Sequence, residues 1–198
     1  MKSAAHSVVG VAVETMARDE AARFFELGMH MERAGTTTRV LGTQAATLDL
    51  GSKTGLESWA PVLRICAARE MFVRTGRPAE AVPIVDLLMF SPVFPRSVRF
   101  SVVNTDELVQ ALLADGDHPA FVGPEGRPLV ARLLGRLRGR VDFGSVDEVL
   151  AVGLGATAVS LETDLREVHK AIAERFFHHT PGGELQVTEL RALEPQFR

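Results

Sequence analysis

Cysteine occurs once in the 198 residues, as Cys66, so the chain can form no intramolecular disulfide and no multi-cysteine zinc site. Cys66 lies in the apolar run "VLRICAA" with no electropositive loop around it to lower its pKa, and reads as a buried small hydrophobe rather than a nucleophile. Long hydrophobic runs are also missing. "VPIVDLLMF" is interrupted by Asp86 and falls far short of the roughly 20 apolar residues that span a bilayer. The N-terminal "MKSAAHSVVGVAVETMA" has only a short apolar part, closed by Glu14, and does not read as a secretion signal. A strong charge of either sign is absent: 22 Lys+Arg against 25 Asp+Glu leave a formal net charge of -3, with no global attraction to nucleic acid or an anionic membrane. The expectation is a soluble cytoplasmic protein.

What is present is helical periodicity in a chain 46% hydrophobic. Phe24, Leu27, Met31, Ala34, Thr38 and Leu41 recur at steps of three and four, which predicts a helix from about Asp19 to Ala46. A second helix is expected from about Leu56 to Val73, carrying Trp59, Leu63, Cys66 and Phe72 and stopped by "RTGRP". A short apolar helix over Val82 to Phe90 should end at "SPVFP", with Pro95 opening the next helix through Ala114. The glycine- and proline-rich stretch from 115 to 128 reads as the main loop. "LVARLLGRLRGRV" sets leucines against arginines in another amphipathic helix. A capping box, Ser145 with Glu148, then opens a last helix of roughly nine turns marked by Leu150, Leu154, Leu161, Leu165, Val168, Ile172 and Phe176. The sum is an all-α protein: an antiparallel bundle of about six helices, two of them long, in one domain over residues 1–180 with a tail at 181–198.

The first helix carries an unusual stripe. Gly28, Gly35 and Gly42 sit seven residues apart, on one face at about 100° per residue, and each costs up to about 1 kcal/mol relative to alanine. A close helix-helix joint is the expected compensation. Glu32 and Arg39 project near that stripe, whereas Glu26, His30 and Arg33 point away. Glu32 is therefore expected to be at least half buried, paired with Arg39 or with an arginine of another helix, and Arg33 to look outward or into a second groove. Two roles for Glu32 stand side by side: a buried ion pair that sets helix register, or a carboxylate of perturbed pKa lining a cavity.

Other chemistry finds little support in the residues. No Glu-x-x-His step occurs, as a di-metal bundle would need, and Asp115, Asp117 and His118 lack a fourth ligand, so no metal is expected. "GLG" at 153–155 sits inside a predicted helix and no phosphate-cradling loop exists, so no nucleotide cofactor is expected either. His178 and His179 suit the end of a helix dipole. Arg132, Arg136 and Arg140, with Arg127 and Arg138 nearby, form a basic stripe that reads as a solvated face balanced by Asp142, Asp147 and Glu148, or as a contact for an acidic partner. It has no interleaved aromatics, which argues against single-stranded nucleic acid.

The stretch "ARFFELGMHMERAGTTTRVL" resembles the first helix of the alpha-E family, a bacterial α-helical domain named for its Glu-Arg signature; Arg23, Leu27, Gly28, Glu32, Arg33, Ala34, Thr38 and Arg39 follow the pattern. "VDLLMFSPVFPRSV" resembles the family's second signature, with Pro92, Pro95, Arg96 and Ser97 falling on it, and the closing helices are similar too. Members accompany circularly permuted ATP-grasp proteins and transglutaminase-like peptidases. The resemblance thus implies a non-catalytic partner of an amide-forming ligase, holding that enzyme or its peptide substrate, with Arg33, Arg96 and the basic stripe as contacts. An alternative is an enzyme of the same pathway using Glu32 as acid or base with Arg39 or Arg96 binding a carboxylate. A third reading is a homodimer whose role is assembly.

Overall fold

The computed structural model of the chain describes residues 9–12, 14–46, 56–115 and 128–177. Eight helices of at least six residues follow one another: α1 (Glu20–Ala45), α2 (Leu56–Ile65), α3 (Arg69–Arg74), α4 (Ala81–Phe90), α5 (Val98–Asp115), α6 (Leu129–Phe143), α7 (Val146–Val152) and α8 (Leu154–Phe176). Short helical pieces also occur at 9–12 and 14–15, and there is no strand among the described residues. Asp19 caps α1, its side chain accepting from the Ala22 N–H at 3.1 Å, which places the start where the periodicity predicts it.

Four helices close a ring: α1 packs on α5 and α8, and α6 packs on the same two. Each neighbouring pair is antiparallel. Arg23 at the start of α1 meets Asp115 at the end of α5, while Thr37 reaches Arg96 just before α5 begins. Phe24 meets Phe176 at the end of α8, while Gly42 approaches Ala158 near its start. Arg99 and Asp106 of α5 pair with Asp142 and Arg138 of α6 in reverse order, and Arg140 of α6 reaches Ser160 and Asp164 of α8. The core holds Leu41, Val102, Leu134, Leu137 and Leu154, all at or below 1% exposure. Burying each such leucine contributes about 2 kcal/mol. The short helices gather at one end of the ring, where Gln44 donates to the Ser58 carbonyl at 3.1 Å and α4, apolar almost all round, contacts α1, α2, α5, α6 and α7.

Two expected helices are each broken in two, which turns six into eight. The predicted helix over 56–73 stops at Cys66, because Ala67 turns left-handed (φ 51°) and the Ala68 N–H bonds the Leu63 carbonyl at 2.7 Å while the Ala67 N–H bonds that of Arg64 at 3.2 Å. This is a Schellman ending with alanine in the place usually held by glycine. The strain, about 1–2 kcal/mol, is offset by complete burial of Cys66 and Ala68 on either side. The predicted helix from Ser145 opens with its capping box but breaks at Gly153 (φ 97°, ψ 131°), which ends α7 and starts α8, so the "GLG" segment is a junction and not helix interior. Pro95 does not open a helix either. It occupies the second position of a turn closed by the Ser97 N–H on the Phe94 carbonyl (2.9 Å), and α5 starts at Val98 with Ser97 as its cap, accepting from the Phe100 N–H at 3.0 Å. The loop segment 116–127 and the tail from 178 lie outside the described residues.

Candidate functional site

Steps of three and four place His30, Arg33 and Thr37 on one face of α1, and that face meets the turn before α5. Thr37 is 2% exposed and donates to the Arg96 carbonyl at 2.7 Å. Ser97 locks the same turn by donating to the Ser91 carbonyl at 2.6 Å. The two stretches that carry the family resemblance are thereby hydrogen-bonded to each other. Arg33 is partly buried; that burial, then the neighbouring charge of Arg96, lowers its pKa, with Glu32 opposing. His30 is buried, its ring 5.9 Å from that of Phe100, and its Nδ1 has no hydrogen-bond partner. Burial, and next the charge of Arg33, pushes its pKa down to about 4, so it is neutral at pH 7. Cys66 closes the far edge of this cluster: burial raises its pKa, against the Thr37 hydrogen bond and the Arg96 charge, which suits the packing role expected of it.

The opposite face of α1 looks towards α8 and is open. Phe24 stacks on Phe176 and Phe177 (5.3 and 5.1 Å) at one end, and beyond them lies a groove of about 600 Å³ walled by Leu27, Gly28, Met31, Leu165 and Ile172. Glu32, Arg39, Glu162, Arg166 and His169 line it as well. A second cavity of about 700 Å³ continues it past Gly42 and Gly155, sharing Arg39 and Glu162. Glu32 is exposed here, not half buried, and is not paired with Arg39. Its Oε1 accepts from Thr36 Oγ1 at 2.8 Å, and Arg39 donates to the same hydroxyl at 3.2 Å. Arg33, expected to look outward or into a second groove, is the more buried of the two and faces the seam with α5. The glycine stripe likewise is not one joint. A Cβ on Gly42 would stand 3.2 Å from that of Ala158, a close approach; one on Gly35 would touch only Arg39 of the same helix; one on Gly28 would meet nothing within 4 Å.

Residues 1–177 match the Alpha-E family, described as a predicted alpha-helical domain with a conserved ER motif. The chain belongs to the Alpha-E family. No curated protein and no solved structure matches it. In this Alpha-E chain the Glu-Arg step occurs twice, at Glu32–Arg33 in α1 and at Glu174–Arg175 in α8. The first divides its residues between the two faces just described, the acid to the groove and the base to the seam. In the second, Glu174 is exposed, 3.7 Å from Lys170, and Arg175 is partly buried and lies over the Phe176 ring at 5.6 Å.

The basic stripe of this Alpha-E chain is largely committed to holding its own helices. Arg138 pairs with Asp106 (2.9 Å) and Asp142 (3.2 Å), Arg99 pairs with Asp142 (2.9 Å), and Arg140 pairs with Asp164. The hydrogen bond that Arg138 donates to Asp106 raises the pKa of Arg138 further; burial alone would raise that of Asp142, but Arg99 and Arg138 outweigh it and hold the carboxyl low. Asp106 and Asp164 were invisible partners in the sequence, where the balancing acids seemed to be Asp142, Asp147 and Glu148. Arg136 is exposed, and Arg127, Asp117, His118, His178 and His179 lie outside the described residues. Among the described residues no three His, Cys, Asp or Glu side chains are grouped to hold a metal, and no helix is long and apolar enough to cross a membrane.

Proposed function

We propose that this Alpha-E chain is a non-catalytic helical partner of an ATP-grasp-type amide or peptide ligase, or of the transglutaminase-like protein found with such ligases, working in the bacterial cytoplasm and holding the enzyme or its peptide substrate. The observation that carries the reading is the α1/α8 groove. Its wall is apolar, and among the described residues Arg39, Glu162 and Arg166 have no ion pair there, a pattern suited to a peptide segment that brings both side chains and charges. The absence of a side chain at Gly28 leaves room for it. A non-catalytic role is also supported by the state of the groups that could do chemistry: Glu32 is solvated and bonded to Thr36, and Cys66 is buried with a raised pKa.

The test is purification of the tagged chain from its own host in mild salt, with mass spectrometry of what accompanies it, for the wild type and Gly28→Trp. The substitution projects into the groove from a position where a Cβ meets nothing, and an unchanged circular dichroism spectrum checks that the variant is folded. Stoichiometric recovery of an ATP-grasp or transglutaminase-like protein with the wild type, lost with Gly28→Trp, is expected. Recovery of the chain alone overturns the reading, and a mass that doubles with concentration replaces it with the homodimer.

A further inference from the structure

We propose that Arg33 and Arg96 form a receptor for a single oxyanion, a carboxylate or a phosphate, at the seam between α1 and the turn that precedes α5. The site is separate from the groove and stands whether or not the ligase-partner reading holds.

The molecule supplies its own comparison. Among the described residues, seven arginines are partly buried. Arg23, Arg99 and Arg138 pair with carboxylates, and Arg132 and Arg175 also have partners. Arg33 and Arg96 are the two with no side-chain hydrogen bond, ion pair or ring contact among the described residues, although they lie close enough for the charge of one to act on the other, with Glu32 only partly offsetting it at Arg33. Asp106 and Asp142 are engaged with Arg138 and Arg99, and the Glu32 carboxylate accepts from Thr36 on the groove side of α1. Two like charges kept together and partly desolvated are unfavourable without a counter-charge.

The arrangement is also held in place. The Thr37 hydroxyl clamps the Arg96 carbonyl and Ser97 clamps the turn, so the backbone under Arg96 is fixed relative to α1 before any ligand arrives. Beside Arg33 on the same face, His30 is more than nine-tenths buried and keeps an unpartnered Nδ1 that can join the recognition as a neutral ring. Two guanidinium forks carried by different segments can together match the oxygens of one carboxylate or phosphate through directional N–H donors.

Thermal unfolding of the full chain in sodium chloride, acetate or phosphate at matched ionic strength tests this, for the wild type, Arg33→Gln, Arg96→Gln and Arg39→Gln. Glutamine keeps much of the packed stem, and Arg39→Gln in the groove controls for general salt effects. Acetate or phosphate is expected to raise the wild-type Tm over chloride by about 3 °C. That increment should persist in Arg39→Gln and vanish in Arg33→Gln and Arg96→Gln. A response to acetate alone assigns a carboxylate ligand, and a response to phosphate alone assigns a phosphate. Equal Tm in the three salts, or the same increment in all four proteins, overturns the proposal. Should either glutamine variant not fold, ¹⁵N chemical shifts of the wild-type Arg33 and Arg96 side chains during anion titration decide: movement of both supports the site, and movement of neither refutes it.

Discussion

Towards α5, helix α1 presents His30, Arg33 and Thr37, and that side is closed by hydrogen bonds; towards α8 it presents Phe24, Gly28, Met31 and Glu32, and that side stands open as a groove. The polar face is thus the more tightly shut of the two. Burial in a bundle follows which side chains find partners across the interface as much as which are apolar. Thr37 and Ser97 find carbonyls, so a polar seam closes, whereas Gly28 has no side chain to reach α8 and leaves space. The polar seam specifies register, and the leucine-rich centre of the ring supplies most of the stability.

The comparison breaks most visibly under acid. His30 has a folded pKa of about 4 against an ordinary 6.5, so the unfolded chain takes up the proton first as pH falls. Its stabilising contribution is complete above pH 6.5 and is lost between there and pH 4, by up to about 3 kcal/mol. The charge of Arg33 beside the ring adds to the cost of protonating it. Urea unfolding at pH 7, 5.5 and 4.5 should show His30→Leu with a shallower decline than the wild type, and parallel declines would disprove the burial of a neutral ring.

A sharper contrast lies within the glycine stripe. Gly42→Leu should cost about 2 kcal/mol, because the new side chain drives α1 from Ala158. Gly28→Ala should instead stabilise by up to about 1 kcal/mol, since it gains helix propensity and touches nothing. Equal losses at both positions, measured by denaturant midpoints at constant m, would mean that α1 and α8 pack tightly along their whole length. The smallest effect belongs to the seam's clamp: Thr37→Val keeps the shape, leaves the Arg96 carbonyl without its donor, and should cost about 1 kcal/mol. An unchanged midpoint would show that solvent replaces the hydroxyl there.

Much of the fold was legible. The period of three and four with Asp19 ahead of it located α1 to within a residue, and the Ser145–Glu148 box located the start of α7. The breaks were harder for different reasons. At Ala67 the residue gives no sign of a left-handed turn, because the tertiary burial of Cys66 and Ala68 decides the matter. At Gly153 the sign was present, but leucines on both sides continue the same period across it. For the site, the wheel separated Glu32 from Arg33 correctly and left Arg33 a second groove, but buried Glu32 at a joint where it is exposed. It assumed that glycines mark contact, and only the placement of α8 shows that Gly28 faces space. The hydroxyl and imidazole sharing the Arg33 face, Thr37 and His30, were the available signal that this side was the buried one.

One feature of α1 ties its faces together: it is continuous helix over 26 residues, about 39 Å, through all three glycines. Such a rod turns and shifts as a unit. An occupant that wedges α8 away from Gly28 and an anion that draws Arg33 towards Arg96 therefore act on the same rigid body, and whatever free energy one spends on displacing it is added to or subtracted from the affinity of the other. By thermodynamic reciprocity the two binding constants change by the same factor, whichever ligand arrives first.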